Sequence, residues 1–320
     1  MPERRVLVLG AGGFIGRALV ARLGAGTIAA TRRPVDPAPG IEVRVTGTLT
    51  AASAWRAILE GAHAVVHLAS RAHAPPGADL SWIEQEAAAA AAFGQAVRAA
   101  GIGRVVLLSS IKIHGEDTRG GAFRASDPPA PADAYGRAKL RIEESLRQSG
   151  VPLVVLRPPL VFGPGVKGNF RALLGFAARG VPLPLASVAN RRSLIFLDHL
   201  VDLIETALTH ERAVGGAFLM REARDVSTPE LLRLIAQGLG RTARLLPCPP
   251  KLLSAMARTV GRSEDAEKLL NSLCVDDSET RERLGWRPRL SLEAAISATC
   301  RWYAGQPGAG KNESMRPMSR

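Results

Sequence analysis

The sequence predicts an α/β protein built on a doubly wound parallel sheet, and two observations carry this prediction. Short runs rich in Val, Ile, Leu and Ala alternate with helical stretches, and these runs lack the polar alternation of half-exposed strands. The first run leads directly into the glycine-rich segment 10–16, as in sheets that bind a dinucleotide at a strand-to-helix turn. We therefore expect a Rossmann domain with ligands at the carboxyl ends of its strands.

The individual elements follow from the same alternation. Strands are expected at 5–9, 27–31, 41–45, 64–68, 104–108 and 153–156, with weaker strands at 194–197 and 217–220. The longest helices are expected at 81–100 and 133–148. After about residue 165 the pattern changes to helices separated by Pro-rich turns.

This change of pattern predicts the domain organisation. We expect a dinucleotide-binding Rossmann domain over residues 1–165 and a smaller, mostly helical substrate lobe over residues 166–304, with some of its strands returning to the first sheet. Residues 305–320 contain few core-forming side chains, so a disordered tail is expected there.

Composition and charge exclude several classes of protein. The 320 residues are 46% hydrophobic and 22% charged, which is typical of a globular protein. The net charge is +13, but the basic residues are scattered and aromatics make up only 4%, so no nucleic-acid partner is expected. No apolar run approaches the roughly 20 residues of a membrane helix, and the N-terminus has no signal-peptide pattern. The three cysteines show no metal-ligand spacing, so we expect free thiols, no metal and a cytoplasmic location.

The glycine-rich turn marks the predicted cofactor site. Gly10, Gly13 and Gly16 have GxxGxxG spacing between a strand and a helix. The backbone N–H groups of such a turn can approach a pyrophosphate, which then faces the positive end of the helix. We therefore expect a dinucleotide to contact these glycines together with Phe14 and Ile15.

The end of the second strand bears on cofactor preference. Arg32 and Arg33 stand where NAD-selective sites usually place an acidic residue, and an arginine there can pair with a 2′-phosphate. Arginine is the usual basic residue of this chain, since only six of its 42 basic residues are lysines. Arg32 and Arg33 are therefore explained equally well as ordinary solvated charges. NADP is therefore favoured, and NAD remains open.

Three further side chains form a candidate catalytic group. Tyr135 and Lys139 stand at i, i+4 on a helix that follows Asp133, which places the phenol and the ammonium on one face. A tyrosine with its usual pKa of about 10 is a poor base, and a nearby ammonium would favour its phenolate. Ser110 ends the fifth strand, where its hydroxyl can polarise a substrate oxygen. We predict that Tyr135 carries the proton, Lys139 lowers its pKa and Ser110 orients the substrate.

These motifs together resemble the extended short-chain dehydrogenases/reductases of the NAD-dependent epimerase/dehydratase type, over about residues 4–303. His67-Leu68-Ala69 closes the fourth strand, segment 156–165 resembles RPxxVYGPG, and segment 192–198 is similar to RxxxHVxD. In the family, the arginine of that last segment binds the sugar-nucleotide diphosphate. The resemblance implies that the cofactor site also includes Thr48, Leu49, Leu68, Ala69, Pro158, Tyr135 and Lys139, and that Ser110, Asn169 and Arg192 bind substrate.

Segments 109–115, 164–170 and 191–194 look most like UDP-sugar 4-epimerases and 4-keto-reductases of bacterial polysaccharide pathways. The resemblance implies a 4-epimerase acting on a UDP-sugar, with an NADPH-dependent 4-keto-sugar reductase as the alternative. A cofactor-binding regulator without turnover is a third hypothesis, and a homodimer is the family's habit. The sugar and the nucleotide stay open.

The sequence also departs from the family pattern at several positions. Ile111 and Lys112 replace the acidic pair of sugar 4,6-dehydratases, so dehydration is not expected. Glu86 stands where the family usually has Asn, and Thr48 stands where it usually has Asp. His114 replaces a frequent tyrosine and is interpreted as a packing residue, as is His67.

Overall fold

The computed structural model describes residues 5–36, 38–70, 80–259 and 263–307. The strands of these residues are β1 Val6–Leu9, β2 Ile28–Thr31, β3 Glu42–Val45, β4 Ala64–His67, β5 Arg104–Leu108, β6 Leu153–Arg157, β7 Leu160–Phe162, β8 Leu194–Phe196 and β9 Ala217–Leu219. Seven strands form a parallel sheet in the order β3-β2-β1-β4-β5-β6-β9, and β7 pairs with β8 in parallel. The order reverses between β1 and β4, where doubly wound sheets bind their ligands.

The helices are α1 Phe14–Leu23, α2 Trp55–Leu59, α3 Ser81–Ala99, α4 Ala134–Gln148, α5 Gly168–Arg179, α6 Leu197–Thr209, α7 Thr228–Gly238, α8 Pro250–Thr259, α9 Ser263–Leu270, α10 Ser278–Leu284 and α11 Leu292–Ala304. Two 3₁₀ turns lie at Ile111–Ile113 and Glu211–Ala213. The two longest predicted helices correspond to α3 and α4, which pack against each other.

The central strands are apolar because both faces of the sheet are covered. Val8, Val66 and Val106 lie in one buried cluster together with side chains of α1 and α6. Leu7 and Val65 point to the opposite face, where α2, α3 and α4 supply the partners. Each such burial contributes roughly 1.5–3 kcal/mol. The predicted fold class is confirmed, and it explains why these strands show no polar alternation.

The C-terminal half combines a helical lobe with elements that return to the sheet. Phe162, Phe170 and Phe196 form a separate buried cluster with α5, α7 and α11. The weak strands predicted from the sequence are β8 and β9, and β9 joins the sheet beside β6. The boundary at residue 165 stays a prediction. Of the predicted tail, residues 308–320 lie outside the described residues.

Membrane-spanning helices and metal-binding clusters are both absent from the residues that the structure describes. None of their helices is both long and apolar enough to cross a membrane. The same residues contain no group of three His, Cys, Asp or Glu side chains arranged to hold a metal ion. Cys248, Cys274 and Cys300 are free thiols.

Candidate active site

The glycine-rich turn brings the end of β1 against β4 and α1 without intervening side chains. Gly10 has φ +85°, and a Cβ atom there would lie 2.9 Å from the Ala69 nitrogen. A Cβ atom on Gly16 would overlap the Gly10 carbonyl oxygen. Gly13 donates its N–H to that same oxygen at 3.0 Å. The turn therefore requires glycine at the first and third glycine positions of the GxxGxxG motif, as the spacing indicates.

Gly13 is also the N-cap of α1, and its lack of a side chain matters for ligand binding. The first turn of α1 contains no acidic residue, and no side chain caps its N–H groups. Uncapped N–H groups and the positive end of the helix dipole form a site for an anion. The turn therefore fits the pyrophosphate of a dinucleotide.

A cavity of about 1110 Å³ opens in front of this turn. The predicted cofactor residues that line it are Gly10, Gly13, Arg32, Arg33, Thr48, Leu49, Leu68 and Ala69. Phe14, Ile15, Gly16, Pro158, Tyr135 and Lys139 are not among its lining residues. The cavity is large enough for a dinucleotide, and Arg32 and Arg33 are exposed at its edge.

The candidate catalytic residues meet at the carboxyl end of β5. Ser110 is 9% exposed and precedes the 3₁₀ turn Ile111–Ile113. Tyr135 lies in the first turn of α4, whose N-cap Asp133 accepts a hydrogen bond from Gly136 N at 2.7 Å. The Ser110 hydroxyl lies near the Tyr135 phenol and acts to lower its pKa. The structure therefore brings together the two hydroxyl groups that the sequence predicts.

Lys139 is buried one helical turn after Tyr135. Its Nζ donates a hydrogen bond to the Leu108 carbonyl oxygen at 2.9 Å and lies 5.8 Å from the centroid of the Tyr135 ring. Burial lowers the pKa of Lys139 to about 8, although the charges of Glu86 and Glu143 act to raise it. The ammonium is thus mostly charged at neutral pH and mostly neutral above pH 9.

The pKa of Tyr135 differs from the sequence-based expectation. Burial raises this pKa above its ordinary value of 10.0, and the negative charge of Asp133 adds to the effect. The hydrogen bond from Ser110 and the positive charge of Lys112 act in the opposite direction. Lys112 is thus a cation that acts to lower this pKa, and the part predicted for Lys139 stays a prediction.

The buried ammonium leads to a stability prediction. Because Lys139 has a pKa of about 8 in the folded chain and about 10.5 when unfolded, the unfolded chain binds more protons between these values. Stability therefore rises with pH across this window. We expect Lys139→Met to raise the free energy of unfolding by about 2 kcal/mol at pH 7, after allowing for the lost hydrogen bond, and to give almost no gain near pH 10.5.

Urea unfolding of wild type and variant at both pH values would measure this difference. Lys251→Met is the matched control, because Lys251 is exposed on α8. A gain of equal size at both pH values would contradict the low pKa of Lys139.

A buried cluster of ion pairs joins α4 to the end of β6. Arg157, at the end of β6, donates to Glu143 at 3.1 and 2.7 Å, and Arg147 donates to the same carboxylate at 2.8 Å. Burial acts to raise the pKa of Glu143, but the hydrogen bonds and charge of Arg157 outweigh it and hold that pKa below its usual value. His114 accepts from Arg157 at 3.1 Å and stacks on Phe123, as its interpretation as a packing residue requires.

The other two residues predicted to bind substrate belong to the C-terminal half, where Asn169 is in α5 and Arg192 precedes β8. Arg192 is partly exposed and donates to the Asn271 carbonyl oxygen at 3.0 Å, and burial lowers its pKa. Asn169 is exposed in the first turn of α5. Neither residue contacts Ser110 or Tyr135 through a hydrogen bond described in the structure, so their assignment to the substrate rests on the family resemblance.

Three charged residues near the site were assigned no functional role from the sequence. Glu86 and Lys167 line the cavity, and Glu86 also acts electrostatically on Lys139. Lys112 lies beside the catalytic pair. The rarity of lysine in this arginine-rich chain is a sequence feature that Lys112 and Lys167 share.

The fold and this geometry place the chain in a known class. Residues 6–219 match the NAD dependent epimerase/dehydratase family, and the chain belongs to that family. It is therefore an enzyme of the extended short-chain dehydrogenase/reductase class with a nicotinamide dinucleotide as cofactor, as the motifs predicted.

Individual relatives span nearly the whole chain. A UDP-glucose 4-epimerase of Vibrio cholerae is 34% identical, with 95% of this chain and 96% of that protein covered. A dTDP-6-deoxy-L-talose 4-dehydrogenase (NAD(P)(+)) of Kitasatospora kifunensis is 30% identical, with 91% and 93% covered. The crystal structure of the Bordetella bronchiseptica enzyme WbmG in complex with NAD has a TM-score of 0.76 over 95% of this chain and 96% of that chain. At 19% identity, this last likeness shows the fold alone.

Proposed function

We propose that the chain is a nucleotide-sugar 4-epimerase that acts on a UDP-sugar by hydride transfer at the C4 carbinol. The observation that carries the proposal is the group formed by Ser110, Tyr135 and Lys139 at the carboxyl end of β5. The 34% identity to a UDP-glucose 4-epimerase supports both the reaction and the UDP-sugar.

When bound, a nicotinamide dinucleotide would supply the hydride chemistry at C4. Tyr135 in its phenolate form would take the proton of the C4 hydroxyl as the C–H bond breaks, and the resulting phenol would give the proton back when the 4-keto sugar is reduced on its opposite face. Ser110 donates a hydrogen bond to the same oxygen and polarises it. No cofactor is consumed over the full cycle.

The remaining residues bind and orient. Lys139 would contact the nicotinamide ribose and add positive charge near the phenolate. Arg192 would hold the diphosphate through charge-assisted hydrogen bonds, with Asn169 beside the sugar nucleotide. Gly13 and the uncapped N-terminus of α1 would hold the cofactor pyrophosphate.

An NADPH-dependent reductase of nucleotide 4-keto sugars is the alternative, and two observations favour it. Arg32 and Arg33 line the edge of the cavity, where a 2′-phosphate would meet them. The raised pKa of Tyr135 keeps the phenol protonated, as a proton donor in a reduction requires. A regulator without turnover fits less well, because it would not need the grouping of Ser110, Tyr135 and Lys139.

The arginine pair provides a test of cofactor preference. If Arg32 and Arg33 pair with a 2′-phosphate, replacing both with Ser should weaken NADP binding by about tenfold or more. NAD binding should change by less than about threefold, because NAD lacks that phosphate. Calorimetric titration of both cofactors measures the two losses, with Arg258→Ser on exposed α8 as the control. Equal losses for the two cofactors would show that these arginines are only surface charge.

A substrate panel distinguishes the functions. The purified protein would be incubated with a set of UDP-sugars and UDP-4-keto sugars, while nicotinamide absorbance and sugar products are followed together. An epimerase converts a UDP-sugar without net change in absorbance, whereas a reductase consumes NADPH in proportion to product. Cofactor binding without conversion of any sugar nucleotide would move the assignment to a regulator. A homodimer and a cytoplasmic location stay predictions.

A further inference from the structure

We propose that Lys112 is a positioning residue, which fixes Tyr135 against Ser110 and supplies the positive charge that acts on the phenol. This inference rests on the proposed function, because it concerns the proton carrier of that reaction. It goes beyond the family pattern, in which Lys139 supplies the positive charge near the phenol.

The contacts of Lys112 connect the two hydroxyl-bearing segments. Its backbone N–H donates to the Ser110 Oγ at 3.3 Å. Its Nζ donates to Asp133 Oδ2 at 2.5 Å and to Glu116 Oε1 at 2.5 Å. One residue therefore holds Ser110 through its backbone and the N-cap of α4 through its side chain.

The first turn of α4 packs closely against Lys112. Asp133 uses its other oxygen, Oδ1, to cap α4 at Gly136 N, so a single carboxylate joins Lys112 to the helix that carries Tyr135. A Cβ atom on Gly136 would lie only 2.6 Å from the Lys112 carbonyl oxygen. The 3₁₀ turn and the first turn of α4 are thus in direct backbone contact.

Several charged side chains surround Tyr135, and Lys112 is one of those that act directly on its phenol. Lys112 and Asp133 act on the phenol with opposite signs, and Glu116 partly neutralises Lys112. Lys139 faces the ring from one turn further along α4. From neighbouring elements, Lys268 on α9 acts on Asp133, while Glu86 on α3 and Glu143 on α4 act on Lys139.

The two lysines differ in how long they stay charged as pH rises. Burial lowers the pKa of Lys139 to about 8. Burial also acts to lower the pKa of Lys112, but hydrogen bonds and charges from Asp133 and Glu116 outweigh it and raise that pKa above its ordinary value. Lys112 therefore keeps its positive charge to higher pH than Lys139 does.

The test uses the fact that the chain contains only two tyrosines. With tyrosine labelled by carbon-13 at Cζ, NMR gives one signal for Tyr135 in a Tyr303→Phe background, and its pH titration reports the phenol directly. We expect Lys112→Met to move the titration midpoint about one pH unit higher. Lys112→Arg should restore it, and Lys251→Met should leave it unchanged. Circular dichroism at each pH would confirm that the fold persists.

Asp133→Asn separates electrostatic action from simple tethering. Asparagine keeps an oxygen that can cap α4 but removes the negative charge. If Lys112 acts through its charge, Asp133→Asn should lower the midpoint of Tyr135 while Lys112→Met raises it. If the pair is only a tether, both variants should move the midpoint in the same direction.

Catalysis provides the second readout. With the substrate identified by the panel, the rise of kcat/KM with pH should shift to higher pH in Lys112→Met, with a loss of about tenfold at neutral pH. A Lys112→Met protein with an unchanged midpoint and an unchanged pH profile would overturn the inference. Because the NMR titration needs no substrate, failure of the proposed function would leave this test intact.

Discussion

Tyr135→Phe is expected to lower turnover by about a thousandfold while leaving cofactor and substrate binding nearly unchanged. In the proposed mechanism the phenol exchanges the substrate proton, and general acid–base catalysis typically contributes factors of about 10²–10⁴. Phenylalanine keeps the ring in its partly buried site and loses only the phenolic hydroxyl, on which Ser110 acts. Steady-state rates, with binding followed separately by calorimetry, measure the effect.

Tyr303→Phe is a suitable matched control. Tyr303 is 9% exposed, lies on α11 in the C-terminal cluster and has no place in the site. It should retain nearly all activity. Turnover by Tyr135→Phe at the wild-type rate would remove Tyr135 from the mechanism.

The second large effect concerns the cofactor turn. Gly13→Val should abolish dinucleotide binding, because the new side chain would occupy the cavity in front of the uncapped N–H groups of α1. The fold should survive, since a Cβ atom on Gly13 approaches only the Gly10 carbonyl oxygen, at 3.2 Å. The same change at Gly16 would overlap backbone and is expected to disturb the turn itself.

Gly103→Val is the control for the added side chain. Gly103 is exposed, and a Cβ atom there would lie 3.7 Å from its nearest neighbour, the His63 carbonyl oxygen. Fluorescence titration with NAD and NADP, together with thermal melting, separates loss of binding from loss of fold. Unchanged affinity for both cofactors in Gly13→Val would place the pyrophosphate elsewhere.

Features with a local physical cause could be predicted from the sequence. The buried strands appear as apolar runs because helices cover both faces of the sheet, and β5 was predicted to its exact bounds. The glycines at 10 and 16 are required by backbone contacts within one turn. Tyr135 and Lys139 are neighbours because helical geometry alone brings i and i+4 together.

Features that depend on tertiary contacts were not predictable in the same way. Lys112 and Asp133 are 21 positions apart, and only the folded chain shows that they pair. The direction in which the pKa of Tyr135 shifts depends on burial, and the residue spacing does not reveal burial. Strand β7 was missed because its partner β8 lies more than 30 residues away and the run 151–162 is apolar throughout except for Arg157 and its prolines.

The most direct test of the central claim follows the hydrogen on C4. A UDP-sugar deuterated at C4, chosen from the substrate panel, would be converted by the enzyme, and its product examined by mass spectrometry and NMR. Hydride transfer out and back within one active site predicts that the product keeps its deuterium at C4 and that none reaches the solvent. Loss of the deuterium to water, or a protein that binds cofactor yet converts no sugar nucleotide, would contradict hydride chemistry at the sugar carbinol.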